Sequence, residues 1–376
     1  MPLLSLGHAC VDVYQGAVAA LVPYFVSERA YTYAAASGIV LAASLLSSVV
    51  QPLFGALTDK WSLPWLLPVS TLVGGAGVAL AGVGGNYVLT LLVVAVSGIG
   101  VAAYHPEAAR VARQASRGSH TAMSWFSLGG NLGFAAAPLM VSAVVATGGL
   151  RASPLLVVPA LAGAALCAAA LRGVRAAQAA SAESVARTPA EAEDDWRSFI
   201  RLTGAVVCRS VVFTGLSTFI ALYVRERTGG GEVFGTVALF VLYIGGAVGT
   251  MAGGRLAARH GRLPVVRWSY ALTVLAVAGV VLVPGPPLFL FVALASAGLY
   301  VPFSLHITLG QDYLPRRMGT ASGVTLGLTV SVGGLMSPVI GAVADASSLR
   351  TALMPLIALP ALGWLLLRTL REPQSR

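Results

Sequence analysis

The sequence predicts an all-α membrane protein of twelve transmembrane helices, arranged as two six-helix halves. Three observations carry this. Of the 376 residues, 57% are hydrophobic and only 10% are charged, against roughly 25% charged in a soluble domain. Apolar runs of about 20 residues, the length that crosses the hydrocarbon core, recur along the whole chain. One long polar segment divides them six and six.

In order, the spans are expected near 3–26, 33–57, 63–83, 86–110, 119–146 and 153–171, then 198–224, 233–257, 264–283, 286–310, 318–344 and 350–370. Between the two sets lies Arg172–Arg197, rich in Ala, Ser, Arg and Glu, the composition of a solvated linker. The expected domains are therefore an N-terminal bundle (1–171), a cytoplasmic linker (172–197) and a C-terminal bundle (198–376). With both termini and the linker placed in the cytoplasm, eighteen of the 24 Lys and Arg residues fall on that side, among them Lys60, Arg113, Arg117, Arg259, Arg316 and Arg317. Five (Arg29, Arg151, Arg225, Arg227 and Arg350) fall on the other, and Arg209 lies within a span. Positive charge collects in cytoplasmic loops, so this orientation is the expected one, in a cell (inner or plasma) membrane. The first span lacks a basic start and is interrupted by His8, Asp12 and Gln15, unlike a cleavable signal peptide.

The halves also repeat at a shift of 198 to 200 residues. Tyr24–Arg29 answers Leu222–Arg227; Gly55, Leu57 and Lys60 answer Gly254, Leu256 and Arg259; Arg117, Gly133 and Pro138 answer Arg317, Gly333 and Pro338. Repeated halves with a midplane site are a transporter architecture.

Other classes are excluded on the same residues. The net charge of +10 sits in short loops, without the aromatic–basic interleaving of a nucleic-acid module. Cys10, Cys167 and Cys208 lie in apolar helical stretches with neither disulfide nor metal-ligand spacing. There is no HExxH and no serine–histidine arrangement on repeated helices, so no enzyme is expected, and no cofactor or metal.

Two acids lie well inside spans, Asp12 and Glu107. A mid-helix charge in hydrocarbon costs on the order of 2.5–3.5 kcal/mol on insertion scales, so such groups line cavities or pair. His8 and Asp12 are four residues apart on one helix face, with Gln15 two turns from His8. This set is either a proton-binding face or a hydrogen-bonded pair that fixes packing. In the stretch Val93–Arg113, the small residues Ser97, Gly98 and Gly100 admit a close neighbour before the helix meets Tyr104-His105-Pro106-Glu107 and Arg110. At 100° per residue, Glu107 lies about 60° from Tyr104 and about 160° from His105. Tyr104 and Glu107 are thus expected to face a cavity and His105 a packing contact, unless Pro106 bends the axis; alternatively Arg110 neutralises Glu107. Arg209, about twelve residues into its span, keeps its charge and requires Asp12, Glu107 or an anionic substrate as partner, unless it snorkels. His306, four after Pro302, stands near the repeat position of His105-Pro106. Trp125, Tyr243 and Tyr300 complete the aromatic candidates.

Several of these motifs resemble a known family. Gly55-Ala56-Leu57-Thr58-Asp59-Lys60 resembles the cytoplasmic loop signature of the major facilitator superfamily, and Gly129-Gly130-Asn131-Leu132-Gly133 through Pro138 its glycine–proline antiporter motif. His8-Ala9-Cys10-Val11-Asp12, Tyr104-His105-Pro106-Glu107 and Cys208-Arg209-Ser210 resemble the fosmidomycin-resistance branch of drug exporters. The pattern departs at Trp61-Ser62-Leu63, at Ala258 and at Val96-Ser97. The resemblance implies a proton-coupled exporter of a small drug-like molecule, anions among the candidates, working by alternating access, expected as a monomer with protons, substrate and the lipid bilayer as partners. The competing expectation is an uncoupled facilitator or importer of a small metabolite. Asp12, Glu107 and His8 are the expected proton-coupling residues. Arg209, Tyr104, Gln15, His105, His306, Trp125 and Tyr243 are the expected substrate contacts. Asp59, with Lys60, Gly55, Gly133 and Pro138, is expected to gate; Asp59 would accept from the helix start near Met318, at the positive end of its dipole.

The orientation is testable in intact cells with single cysteines at 180 and 230 in an otherwise cysteine-free chain. A membrane-impermeant thiol reagent should label Gly230→Cys and spare Ala180→Cys. External labelling at 180 would reverse the topology.

Overall fold

Hydrocarbon offers no partner to a backbone N–H or C=O, so a spanning chain satisfies them internally. In a computed structural model describing residues 1–116, 120–179, 193–317, 320–321, 324–325 and 329–373, the regular elements are all helical. The first six are α1 (Pro2–Arg29), α2 (Tyr33–Lys60), α3 (Leu66–Leu80), α4 (Tyr87–Ser116), α5 (His120–Gly148) and α6 (Val158–Ala179), with a 3₁₀ turn Gly149–Val157 joining the last two. The next are α7 (Trp196–Thr228), α8 (Gly231–His260), α9 (Arg262–Leu282), α10 (Leu288–Tyr300), α11 (Phe303–Tyr313), α12 (Thr329–Ala346), α13 (Leu349–Leu353) and α14 (Ala358–Arg368). Among the described residues, eight stretches are long and apolar enough to span. One of them, Trp125–Val174, has 50 residues and holds two spans; Tyr33–Leu46, Leu66–Leu80 and Val332–Ala346 are shorter apolar helices. Together they make the twelve spans of the expected fold.

The chain divides into two compact units, residues 1–30 with 38–188 and residues 31–37 with 189–376. In the first unit α1 is the central helix, 78% buried over its most apolar window, and it packs on α3, α4, α5 and α6. The crossing with α5 is a backbone-to-backbone contact: a Cβ at Gly129 would strike the Ser5 carbonyl, and one at Gly133 the Ala9 carbonyl. Small residues permit that approach, and dispersion across the seam replaces the hydrophobic drive that lipid removes. Midway along α1, Tyr14 donates to the Leu156 carbonyl at 2.8 Å. The repeated Glu–Arg motif ends α1 as a tether, Arg29 donating to the Gly82 carbonyl at 2.7 Å and Glu28 accepting from Leu150 N–H at 2.9 Å.

In the second unit α7 holds the same place, 89% buried and packed on α8, α12 and α14. A Cβ at Gly333 would meet Ser210 Oγ and Thr214 Oγ1, both at 2.6 Å. Gly133 and Gly333, 200 residues apart, thus press on the first helix of their own unit. Asp195 caps α7; hydrogen bonds from Ser198, the hydroxyl first, hold its carboxyl below the usual carboxylate range. The first turn of α2 belongs to this unit too. Asp345 accepts from the N–H groups of Tyr33 (2.8 Å) and Ala34 (2.9 Å), and Thr32 Oγ1 from that of Ala35 (3.1 Å), so the exposed helix start is satisfied.

Four boundaries differ from expectation. The tenth span is broken between α10 and α11 at Val301–Pro302, where proline cannot donate and clashes with the preceding turn. Pro106, by contrast, is carried inside an unbroken α4. The expected linker loses both ends to helix, because α6 runs on to Ala179 and α7 starts at Trp196; residues 180–192 lie outside the described residues. The twelfth span is interrupted by a 3₁₀ turn at Met354–Ile357, which contains Pro355.

Candidate functional site

α1 carries His8 and Asp12 one turn apart, both buried at 7% and 9% exposure. His8 Nε2 lies 3.2 Å from Asp12 Oδ2. From α4, His105 Nε2 reaches Asp12 Oδ1 at 3.0 Å. The remaining ring nitrogens face backbone carbonyls, which only accept: His8 Nδ1–H donates to Phe126 O at 2.9 Å and His105 Nδ1–H to Val101 O at 2.8 Å. These bonds fix both tautomers and point both Nε2 atoms at one carboxylate. Phe126 of α5 also stacks on the His8 ring, centroids 4.2 Å apart, and Tyr104 stacks on it at 5.9 Å. Gly130 of α5 lies over the group, where a Cβ would strike Asp12 Oδ2 and come within 2.9 Å of His8 Nε2.

The structure corrects the helical-wheel reading of α4. His105 is bonded to Asp12 rather than being a packing residue, and Glu107 does not join it. Tyr104 and Glu107 share a face, yet both are fully buried. The Tyr104 hydroxyl sits 3.9 Å from Cys167 Sγ. The Glu107 carboxylate receives Arg110 Nε at 2.8 Å and a second, shorter bond from Arg110 Nη2, which also donates to Ser62 Oγ at 2.7 Å. An i,i+3 arginine one turn further along the helix reaches back far enough to neutralise the acid before it. Gln15 and Trp125 are exposed and take no part in this cluster.

The second unit holds a cation instead of an acid. Arg209 of α7 is 7% exposed. Its Nη1 donates to the Leu299 carbonyl at 3.2 Å, its guanidinium lies 5.4 Å from the Phe303 ring centre, and its Nε has no hydrogen-bond partner. Among the described residues no carboxylate forms an ion pair with it. His306 of α11 is 1% exposed, within electrostatic reach of Arg209, and both its ring nitrogens lack partners. Tyr270 packs edge-on to His306 at 5.8 Å, while Phe213 brings Tyr300 (5.5 Å) and Tyr243 (6.4 Å) together.

Among the residues expected to gate, Gly133 is the α1–α5 crossing point and Pro138 lies inside α5. A Cβ at Gly55 would meet nothing within 4 Å. The side chains of Asp59 and Lys60, and Met318, lie outside the described residues. Three participants escaped the sequence reading: Phe126, whose carbonyl orients His8; Gly130, whose missing side chain leaves room; and Phe303 beneath Arg209. Only Gly130 left a trace, inside the glycine run.

Comparison with known proteins bears on all of this. Residues 4–338 match the family described as Major Facilitator Superfamily. The chain is 29% identical to the fosmidomycin resistance protein of Escherichia coli (strain K12) over 381 residues, covering 99% of this chain and 92% of that one. Among solved structures, a bacterial homologue of the human lysosomal transporter Spinster superposes with a TM-score of 0.77 at 15% identity, covering 99% and 97% of the two chains. The fucose:proton symporter FucP of E. coli does so at 0.67 and 17%, covering 100% and 98%. At those identities the structures establish the fold.

The buried pair in α4 gives a stability prediction. Arg110→Ala leaves Glu107 buried and unpaired and should destabilise by about 3–5 kcal/mol, whereas pairing it with Glu107→Gln should restore much of that loss. Thermal unfolding in detergent reads both. An Arg110→Ala protein as stable as wild type would show that the pair does not neutralise Glu107.

Proposed function

The chain belongs to the Major Facilitator Superfamily, whose members are transporters and not enzymes, and on that premise we propose that it exports a small anionic, drug-like molecule in exchange for protons. The observation that carries the proposal is Arg209: a buried guanidinium with an unpartnered Nε and no carboxylate among the described residues to balance it. An uncompensated ion in a low-dielectric interior is costly, and an anionic substrate supplies the missing charge. His306, with two free ring nitrogens beside it, adds a donor or acceptor for such a ligand, and the Phe303, Tyr300 and Tyr270 rings supply apolar walls. The E. coli relative is a fosmidomycin resistance protein, which supports outward transport of a toxic compound by analogy.

The proton side of the exchange falls to Asp12 with His8 and His105. Each Nε2···carboxylate contact at 3.0–3.2 Å holds a proton well, and losing one leaves lone pair facing lone pair. A cluster that gains and loses protons as its access to water alternates is what coupling requires. Glu107, already balanced by Arg110, is assigned to positioning α4. Both termini are placed on the cytoplasmic side of the cell membrane, and access to the sites alternates as Asp59 engages and releases its cytoplasmic helix start. An uncoupled facilitator would move the same anion without moving protons, which separates the two readings.

Proteoliposomes with an internal pH dye decide between them. Wild type should show proton entry upon anion exit when challenged with a panel of phosphonates, but not with cationic dyes or sugars. Asp12→Asn should abolish proton-driven exchange while keeping anion binding. Arg209→Gln should weaken anion binding by about tenfold to a hundredfold, the worth of one charge-assisted hydrogen bond. Proton-coupled flux that survives Asp12→Asn, or anion affinity unchanged in Arg209→Gln, would contradict the assignment.

A further inference from the structure

The sequence reading expected no metal site, since no ligand spacing is visible along the chain. In the fold, however, His8, Asp12 and His105 each offer a ligand atom, and these atoms lie within 4.8 Å of one another. We propose that His8 Nε2, His105 Nε2 and the Asp12 carboxylate form a binding site for one borderline divalent cation, of which Zn²⁺ and Co²⁺ are the test cases. The proposal stands on this geometry alone and does not rest on the transport reading.

Four features support it. The first is the hydrogen inventory. Both Nδ1–H groups are committed to carbonyl oxygens, at 2.9 and 2.8 Å, so each Nε2 of a neutral ring presents a lone pair to a carboxylate that itself only accepts. His8 Nε2, 3.2 Å from Asp12 Oδ2, has no hydrogen-bond partner. Two protons, or a single doubly charged ion, reconcile the three groups, and both solutions leave the cluster at the same net charge of one positive unit.

The second is ring orientation. Metal-binding histidines characteristically donate their other ring N–H to a carbonyl or carboxylate, which fixes the tautomer and aims the free nitrogen at the ion. The Phe126 and Val101 carbonyls do this here. The third is spacing. Donors about 2.1 Å from a tetrahedral centre stand about 3.4 Å apart; the two nitrogens stand 3.2 and 3.0 Å from the carboxylate oxygens and all the ligand atoms lie within 4.8 Å of one another, so the set is close to ligand spacing and draws together around an ion. The fourth is room and chemistry. Gly130 leaves space against Asp12 and His8 that a Cβ would fill, and two imidazoles with one carboxylate suit zinc-like and iron-group ions better than Mg²⁺ or Ca²⁺.

Zn²⁺ and Co²⁺ are titrated into tag-free full-length protein in detergent, Zn²⁺ by calorimetry and Co²⁺ by its visible ligand-field bands. Expected are one ion per chain, affinity that falls as the pH is lowered because protons compete for the ligands, no displacement by Mg²⁺, and at least hundredfold weaker binding in Asp12→Asn and in His105→Gln. His260→Gln, on an exposed histidine, should bind as wild type. X-ray absorption on the zinc-loaded wild type requires no variant and should show two imidazoles with a carboxylate. No binding at millimolar metal, undiminished binding in both site variants, or a different ligand set would overturn the proposal. Protons and the metal would share these three groups, so the liposome measurement, run without added metal, reads proton–anion exchange whether or not the titration finds an ion.

Discussion

Asp12 stands ten residues into α1, about 15 Å from its start at 1.5 Å per residue and well inside a helix long and apolar enough to span. A carboxylate there is tolerated only if its charge is answered, and the packing of the first unit is arranged around that answer. α5 approaches α1 closely because Gly129 and Gly133 put backbone against backbone. That approach delivers the Phe126 carbonyl to His8 Nδ1 and the bare Gly130 to the space above the cluster. α4 adds His105, its Nδ1 already spent on its own helix. Carbonyl, imidazole, carboxylate, imidazole and carbonyl form one chain across three helices, buried at His8 and Asp12 and half-buried at His105. Its members fix each other's orientation, and the charge it holds depends on what lies between nitrogen and oxygen.

The second unit repeats the scaffold and inverts the charge. Gly333 takes the place of Gly133, α7 that of α1, and His306, following the helix break at Pro302, that of His105 beside Pro106. Where the first unit has an acid between two imidazoles, the second has Arg209 with an unpartnered Nε and an imidazole with two free nitrogens. The same backbone plan therefore holds an acid between two imidazoles in one unit and, in the other, a guanidinium with no carboxylate partner among the described residues. This is the physical basis for reading a proton carrier and a substrate anchor into separate units.

Much of this was legible in the sequence, and the failures have identifiable causes. Apolar run length located the spans, and the 200-residue offset located the repeat, because both depend on local composition. His8 and Asp12 were legible as a pair because an i,i+4 spacing needs no tertiary information. The partnership with His105 was not, since it joins residues 93 positions apart and hangs on which face of α4 meets α1. A wheel drawn from Glu107 chose the opposite face because it favoured a cavity-facing acid over the alternative, equally open in the sequence, that Arg110 reaches back to neutralise it. Proline alone did not separate the kept helix at Pro106 from the broken one at Pro302. The carbonyls that set the tautomers belong to Val101 and Phe126, side chains that a reading of polar residues passes over.

The most direct measurement of the central claim is nitrogen-15 NMR of histidine-labelled protein, with His8 and His105 assigned through His8→Gln and His105→Gln. The account predicts that both rings keep a proton on Nδ1 at every pH, that only Nε2 changes its protonation, and that Asp12→Asn alters the Nε2 signals of both rings together. A bare Nδ1 on either ring, or an Asp12→Asn spectrum in which only one of them responds, would contradict it.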